Sequence, residues 1–213
     1  MTSTIRPAVL FTALIASSIV LTGCTINIGT QSPMGGSNGL MGQNNSGFSG
    51  TDIMFAQMMI PHHQQAVQMS EIMLAKDNLD PQIQQLAQKI VAAQGPEIEQ
   101  LQAMLETWGE PTSMESGGME GMDHGSTGSA SGSGMEGMMT EEDMGQLEAA
   151  EGDEAARLFL TQMTEHHRGA IDMAQEEVAN GQNRQAIAMA QKVVKDQEAE
   201  IQEMNTLLER FQG

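Results

Sequence analysis

Phe55-Ala56-Gln57-Met58-Met59-Ile60-Pro61-His62-His63-Gln64-Gln65-Ala66-Val67-Gln68-Met69 decides the fold, because its pattern occurs twice. Phe55, Met59, His62, His63, Ala66, Val67 and Met69 correspond to Phe159, Met163, His166, His167, Ala170, Ile171 and Met173 at a constant offset of 104. One residue is lost in the connection that follows. Ala87-Gln88-Lys89-Ile90-Val91 then matches Ala190-Gln191-Lys192-Val193-Val194 at an offset of 103. Gln94, Glu97, Ile98, Leu101, Leu105 and Trp108 continue the agreement as Gln197, Glu200, Ile201, Met204, Leu208 and Phe211. Agreement over this length marks an internal duplication.

Each copy reads as a helix hairpin. Thr51 is the expected cap of the first helix, and Asp80-Pro81 supplies a cap and an N1 proline for the second. Ile83, Leu86, Ala87, Ile90, Val91, Ile98, Leu101 and Leu105 keep to one face of that helix. In the second copy a helix runs from about Asp153 to Asn180-Gly181, which is a helix-stop signal. Its partner carries Ile187, Ala190, Val194, Ile201 and Leu208. Thr140-Glu141-Glu142-Asp143 opens a short extra helix. A single hairpin has too little core to stand alone, so the expected fold is all-α, a pseudo-symmetric antiparallel four-helix bundle. Pro61, inside the first helix, should kink it, and the matching Glu165 should not.

Four of the five histidines lie in the duplicated elements Met59-Ile60-Pro61-His62-His63 and Met163-Thr164-Glu165-His166-His167. At about 100° per residue, Met59 falls in angle between His62 and His63, one turn earlier. Helical side chains lean toward the N-terminus, which brings both rings over that methionine. His62 lies near the middle of the inward stripe and His63 at its edge. Two imidazoles and a thioether suit copper, Cu(I) above all, better than magnesium, calcium or manganese, with silver as the alternative soft ion. Di-iron bundles place glutamate three residues before the histidine. Here Met59 and Met163 hold that position. Met59, His62, His63, Met163, His166 and His167 are therefore the candidate ligands, with Met69 and Met173 on the same stripe as auxiliaries. Core histidines and methionine stripes are more often packing than ligands; the repetition favours ligation. Gln94 and Gln197 face inward on the second helix of each copy, where they could orient a histidine or be satisfied structurally. Glu97 and Glu200, one turn on, could do the same. Affinity at such a site is expected to fall below the ordinary histidine pKa of about 6.5.

Outside the duplication the chain divides into residues 1–23, 24–50 and 109–139, leaving hairpins at 51–108 and 140–213. Arg6 precedes an apolar run from Val9 to Leu21, which ends in Leu21-Thr22-Gly23-Cys24. This has the form of a lipoprotein signal peptide, cleaved before Cys24, with the lipid carried on its sulfur. Cys24 is the only cysteine, so neither a disulfide nor a thiol nucleophile is available. Residues 24–50, rich in Gly, Ser, Asn and Gln, read as a flexible tether. The linker 109–139 carries Met119, Met122, His124, Met135, Met138 and Met139 among Gly and Ser. There, convergent thioethers form a second set of soft-metal ligands, with a solvated spacer as the plainer reading. Methionine supplies 20 of 213 residues, and the net charge of −19 becomes −20 once Arg6 is removed. So acidic a surface excludes nucleic acid as a partner and attracts cations.

The paired Met-x-x-His-His helices are each followed by a Gln-x-x-Glu-Ile helix, Gln94-Gly95-Pro96-Glu97-Ile98 and Gln197-Glu198-Ala199-Glu200-Ile201. In these the chain resembles, over about residues 51–212, the bacterial domain-of-unknown-function family three hundred and five. The resemblance implies a ferritin-like bundle and, since the family includes a periplasmic copper-binding protein, an envelope role in copper tolerance. Met122-Asp123-His124 is also similar to segments of bacterial copper-resistance proteins. The expected protein is exported to the cell envelope or periplasm and anchored to the membrane through Cys24. It binds copper for sequestration, tolerance or handover to other envelope copper proteins, and is not an enzyme. The alternatives are a metal-dependent oxidoreductase of ferritin-like type and an envelope interaction lipoprotein with a structural Met-lined core.

Overall fold

A computed structural model of the chain describes residues 47–113 and 136–211. The signal peptide 1–23, Cys24, nearly all of the tether, and Met119, Met122, His124 and Met135 lie outside the described residues. The described part holds five α-helices and a closing 3-10 turn, with no strand: α1 Gly50–Leu74, α2 Pro81–Trp108, α3 Glu141–Ala149, α4 Gly152–Asn180 and α5 Arg184–Leu208. Among the described residues no helix is long and apolar enough to cross a membrane.

Helix α1 starts two residues earlier than a Thr51 cap would place it, and the cap is Ser49 rather than Thr51. Ser49 Oγ accepts from the Asp52 main-chain N–H while the Asp52 carboxylate accepts from Ser49, a reciprocal box that satisfies two otherwise orphaned donors. Asp52 was not singled out in the sequence. It is fully buried and also accepts from the main-chain N–H groups of Gln182 and Asn183, so it ties the start of α1 to the turn between α4 and α5. Buried Glu177 lies beside it. Neither Glu177 oxygen meets a donor; burial, a hydrogen bond to Asp52 and the Asp52 charge push its pKa up to about 8. At neutral pH Glu177 therefore keeps its proton. Gly181 caps the end of α4 as the sequence suggests, at φ −65. A Cβ there would run into the Glu177 carboxyl, and this explains the glycine.

Asp80 caps α2 through Gln82 and Ile83 with Pro81 following, and Thr140 with Asp143 forms a second capping box at α3. α1 runs unbroken through Pro61, and α2 through Pro96.

α1 packs along α2, α4 packs along α5, and the hairpins meet mainly where α1 lies on α4. The apolar core is in two parts. One joins Ala66, Met69 and Met73 from the end of α1 to Ala155, Phe159 and Met163 from the start of α4, with Ile83, Leu86 and Ile90. The other joins Phe55 and Met59 from the start of α1 to Ala170 and Ala174 from the end of α4, with Leu101, Leu105 and Met189. The pairing of starts with ends makes α1 and α4 antiparallel. Between the two apolar parts, at the middle of every long helix, lies a buried polar layer.

Candidate metal centre

The layer is built from the duplicated residues. His62 and His63 come from α1, His166 and His167 from α4, and all four are at most 1% exposed. Gln94 and Glu97 from α2, with Gln197 and Glu200 from α5, are buried with them. The antiparallel crossing brings the pairs together: the His62 and His166 ring centroids are 3.8 Å apart, with planes at 42°. The methionines of the triads part company. Met59 and the half-buried Met173 pack on one side of the histidine layer, Met163 and Met69 on the other, and Met59, Met163 and Met69 are fully buried. Each face of the layer thus carries one methionine from each copy.

The glutamates orient the outer histidines. His63 Nε2 lies 2.9 Å from Glu97 Oε2, and His167 Nε2 lies 2.8 Å from Glu200 Oε2. An ionised carboxylate only accepts, so each Nε2 carries a proton and turns its Nδ1 away from the carboxylate. The carboxylates are held in turn by lysines of the opposite copy. Lys192 Nζ lies 2.8 Å from Glu97, and Lys89 Nζ lies 3.8 Å from Glu200. Burial alone would push Glu97 up, but the hydrogen bonds from His63 and Lys192 outweigh it and hold the carboxyl below its ordinary range. Lys89 and Lys192 correspond in the duplication, so the cross-link was visible as a repeated residue. Its partner was not, because the contact crosses between copies. The glutamines do not serve the histidines: neither end of the Gln94 amide, nor the Gln197 oxygen, has a hydrogen-bond partner.

Five buried imidazole nitrogens have no partner: Nδ1 of His62, His63 and His167, and both nitrogens of His166, although the His62 main chain lies close to His166. Buried polar atoms left unpaired in this number are unusual. Burial, followed by the neighbouring His63, pushes the His62 pKa down to about 3, and burial drives His166 well below its ordinary value. His167 is also lowered, burial outweighing the opposing Glu200. The rings of His62, His166 and His167 are held toward the neutral form, the state a metal requires. For these three, the expected fall in affinity moves below the ordinary histidine pKa. Among the described residues no group of three His, Cys, Asp or Glu side chains is arranged to hold a metal ion.

The end of the linker closes over this layer. The Glu136 main-chain oxygen lies 3.4 Å from His62 Nε2, and Gln65 exchanges two hydrogen bonds with the Met139 main chain, at 2.8 and 2.7 Å. Met138 and Met139 are half-buried, with Met139 against the core. The strap crosses α4 where Gly137, at φ +84, comes within van der Waals distance of Gly169, and a Cβ on Gly169 would strike the Glu136 main chain. In a free helix Gly→Ala stabilises by roughly 0.5–1 kcal/mol. Here Gly169→Ala is expected to destabilise by about 1–3 kcal/mol and to speed amide exchange at Met139. Unchanged Met139 protection in the variant would refute the close crossing.

The domain of unknown function DUF305 matches residues 52–208. A DUF305 protein of Streptomyces coelicolor, for which secretion is proposed, is 32% identical, with 76% of this chain and 92% of that one covered and a TM-score of 0.64. A DUF305 fragment from Deinococcus radiodurans is 28% identical, covering 76% and 98%, with a TM-score of 0.64. CopM is similar in its Cu(I)-bound form, at 26% identity, 78% and 100% coverage and a TM-score of 0.59. In its Cu(II)-bound form the figures are 28%, 75% and 97%, and 0.60. No curated protein matches the sequence.

Proposed function

The chain belongs to the DUF305 family, and from that premise we propose that it is an exported, lipid-anchored protein that binds Cu(I) at the paired histidines of its bundle. The observation that carries this reading is the set of five buried, unpartnered imidazole nitrogens, on histidine pairs that meet across the duplication at His62 and His166, beside buried thioethers. Neutral nitrogen and sulfur donors select a soft ion. CopM, about a quarter identical, in a Cu(I)-bound form supports the same choice; its Cu(II)-bound form supports copper without selecting the oxidation state. The ligands would be drawn from Met59, His62, His63, Met163, His166 and His167, with Met69 and Met173 alongside. Glu97 and Glu200 fix the tautomers of the outer rings. The two duplicated hairpins, antiparallel across His62 and His166, support a ferritin-like arrangement.

Copper is cargo on this reading. The donors are shut from solvent beneath the Glu136 strap, which suits retention and release better than turnover of a substrate. Export and anchoring rest on the Leu21-Thr22-Gly23-Cys24 sequence, and the methionine-rich linker supplies further weak ligands for capture. The role is sequestration or handover in the cell envelope, with silver as a competing ion.

The test is Cu(I) titration of the purified protein against a colorimetric chelator, beside a variant with His62, His63, His166 and His167 all replaced by alanine. Wild type should take up more than one equivalent, and the variant should retain only weaker linker binding. Equal stoichiometry and affinity in the two proteins would remove these histidines from the site.

A further inference from the structure

Met54 and Met58, which the reading above does not use, share a cavity with Met173. Met54 and Met58, four residues apart, lie on one face of α1, and Met173 faces them from α4 across a cavity of about 210 Å³. Met54 is 55% exposed; among the described residues only Val178 is another exposed large apolar side chain. A flexible apolar side chain gains nothing by facing water, whereas a thioether that needs access to an incoming ion must do so. The cavity floor is Phe55, which belongs with Met173 to the core cluster around Met59. Glu136 lines one side, and its main-chain oxygen is the one that lies 3.4 Å from His62 Nε2. One stretch of main chain thus separates this cavity from the histidine layer. At the rim stand the exposed carboxylates of Asp172 and Glu176, which raise the local cation concentration without supplying soft donors.

We propose that Met54, Met58 and Met173 form a surface-facing all-thioether site for a soft monovalent cation, Cu(I) in the cell. The proposal deepens the copper reading and depends on it. Three neutral sulfurs select Cu(I) or Ag(I) over divalent hard ions, and an ion could move from them to His62 by exchanging sulfur for nitrogen ligands, with no change of oxidation state.

Ag(I) is the probe, because it shares the ligand preference and needs no reductant. With the methionine methyl groups labelled with carbon-13, titration of the full protein should shift the Met54, Met58 and Met173 methyl signals together. The shift should also occur in the variant lacking His62, His63, His166 and His167. Met54→Leu and Met58→Leu combined keep side-chain volume, leave Met173 to the layer, and should lose one Ag(I) equivalent while the histidine layer keeps its own. If Ag(I) loads the histidine layer but leaves these three methyl signals unmoved, the surface site is wrong and the copper reading stands. If neither Ag(I) nor Cu(I) binds anywhere, both fall.

Discussion

Acidification from pH 7 to pH 4 is expected to unfold much of the metal-free protein, and Cu(I) is expected to prevent it. His62 has a pKa of about 3 in the folded chain against 6.5 as its ordinary value. Above 6.5 both folded and unfolded states leave it neutral, and it has no effect on stability. As the pH falls below 6.5 the unfolded chain takes up the proton while the folded chain cannot, so stability is lost progressively down to the folded value. By pH 4 that loss is ~3 kcal/mol from this residue alone, a large share of a typical domain's stability. His166 and His167 are lowered too and add to it.

Glu177 acts in the opposite sense. Its folded pKa is raised to about 8, so its buried position favours folding most below 4.5 and is progressively penalised as the pH rises to 8. Its gain on acidification is about as large as the loss at His62, so the net loss in acid comes from His166 and His167, joined by the lowered carboxyls of Asp52 and Glu97. The measurement is urea unfolding at half-unit intervals from pH 7 to 4, for wild type and for His62→Gln with His166→Gln. The variant's stability should fall less steeply with decreasing pH, whatever its absolute value. An equal slope would mean that the rings titrate normally. The lowered pKa values of His62, His166 and His167 move the acid loss of Cu(I) affinity at those rings below the ordinary histidine range.

The sequence carried most of this geometry, and its failures have physical causes. Periodicity and duplication placed His62 and His166 on inward stripes, and a short connection within each copy made the hairpins antiparallel. The contact between the two rings was not legible, because it depends on how far α4 slides along α1, and nothing in a helical repeat fixes that offset. Ser49 displaced Thr51 as cap because Asp52 completes a reciprocal pair with Ser49, and a buried tie to the α4–α5 turn rewards that register. Gln94 and Glu97 lie one turn apart on the same side of α2, so spacing alone could not choose between them. The choice falls to glutamate because Lys192 of the other copy neutralises it. The need for glycine at position 169 was likewise invisible, since the Glu136 strap that crosses it comes from a segment with no helical periodicity.

That choice of glutamate underlies the second large effect. Glu97→Ala is expected to cost about 3 kcal/mol of stability and at least tenfold in Cu(I) affinity, and Glu200→Ala should behave alike. Removing the Glu97 side chain strands the His63 N–H in the buried layer and leaves Lys192 paired with Asp196 alone. His63 is then free to change tautomer, so the lone pair that Glu97 holds on Nδ1 can move to the wrong side of the ring. Glu97→Gln separates the two consequences. Its amide oxygen can still accept from Nε2, so the tautomer and most of the affinity should survive, while the ionic link to Lys192 is lost and stability falls. If this reading holds, the alanine variant weakens Cu(I) binding and the glutamine variant mainly weakens the fold, with nitrogen-15 chemical shifts of His63 reporting the tautomer directly. Equal losses of affinity in the two variants would mean that charge, and not tautomer control, is what Glu97 contributes. Lys192→Met supplies the converse. It leaves the His63–Glu97 bond intact, removes the cross-copy cation, and should raise the Glu97 pKa toward the range that burial alone would impose.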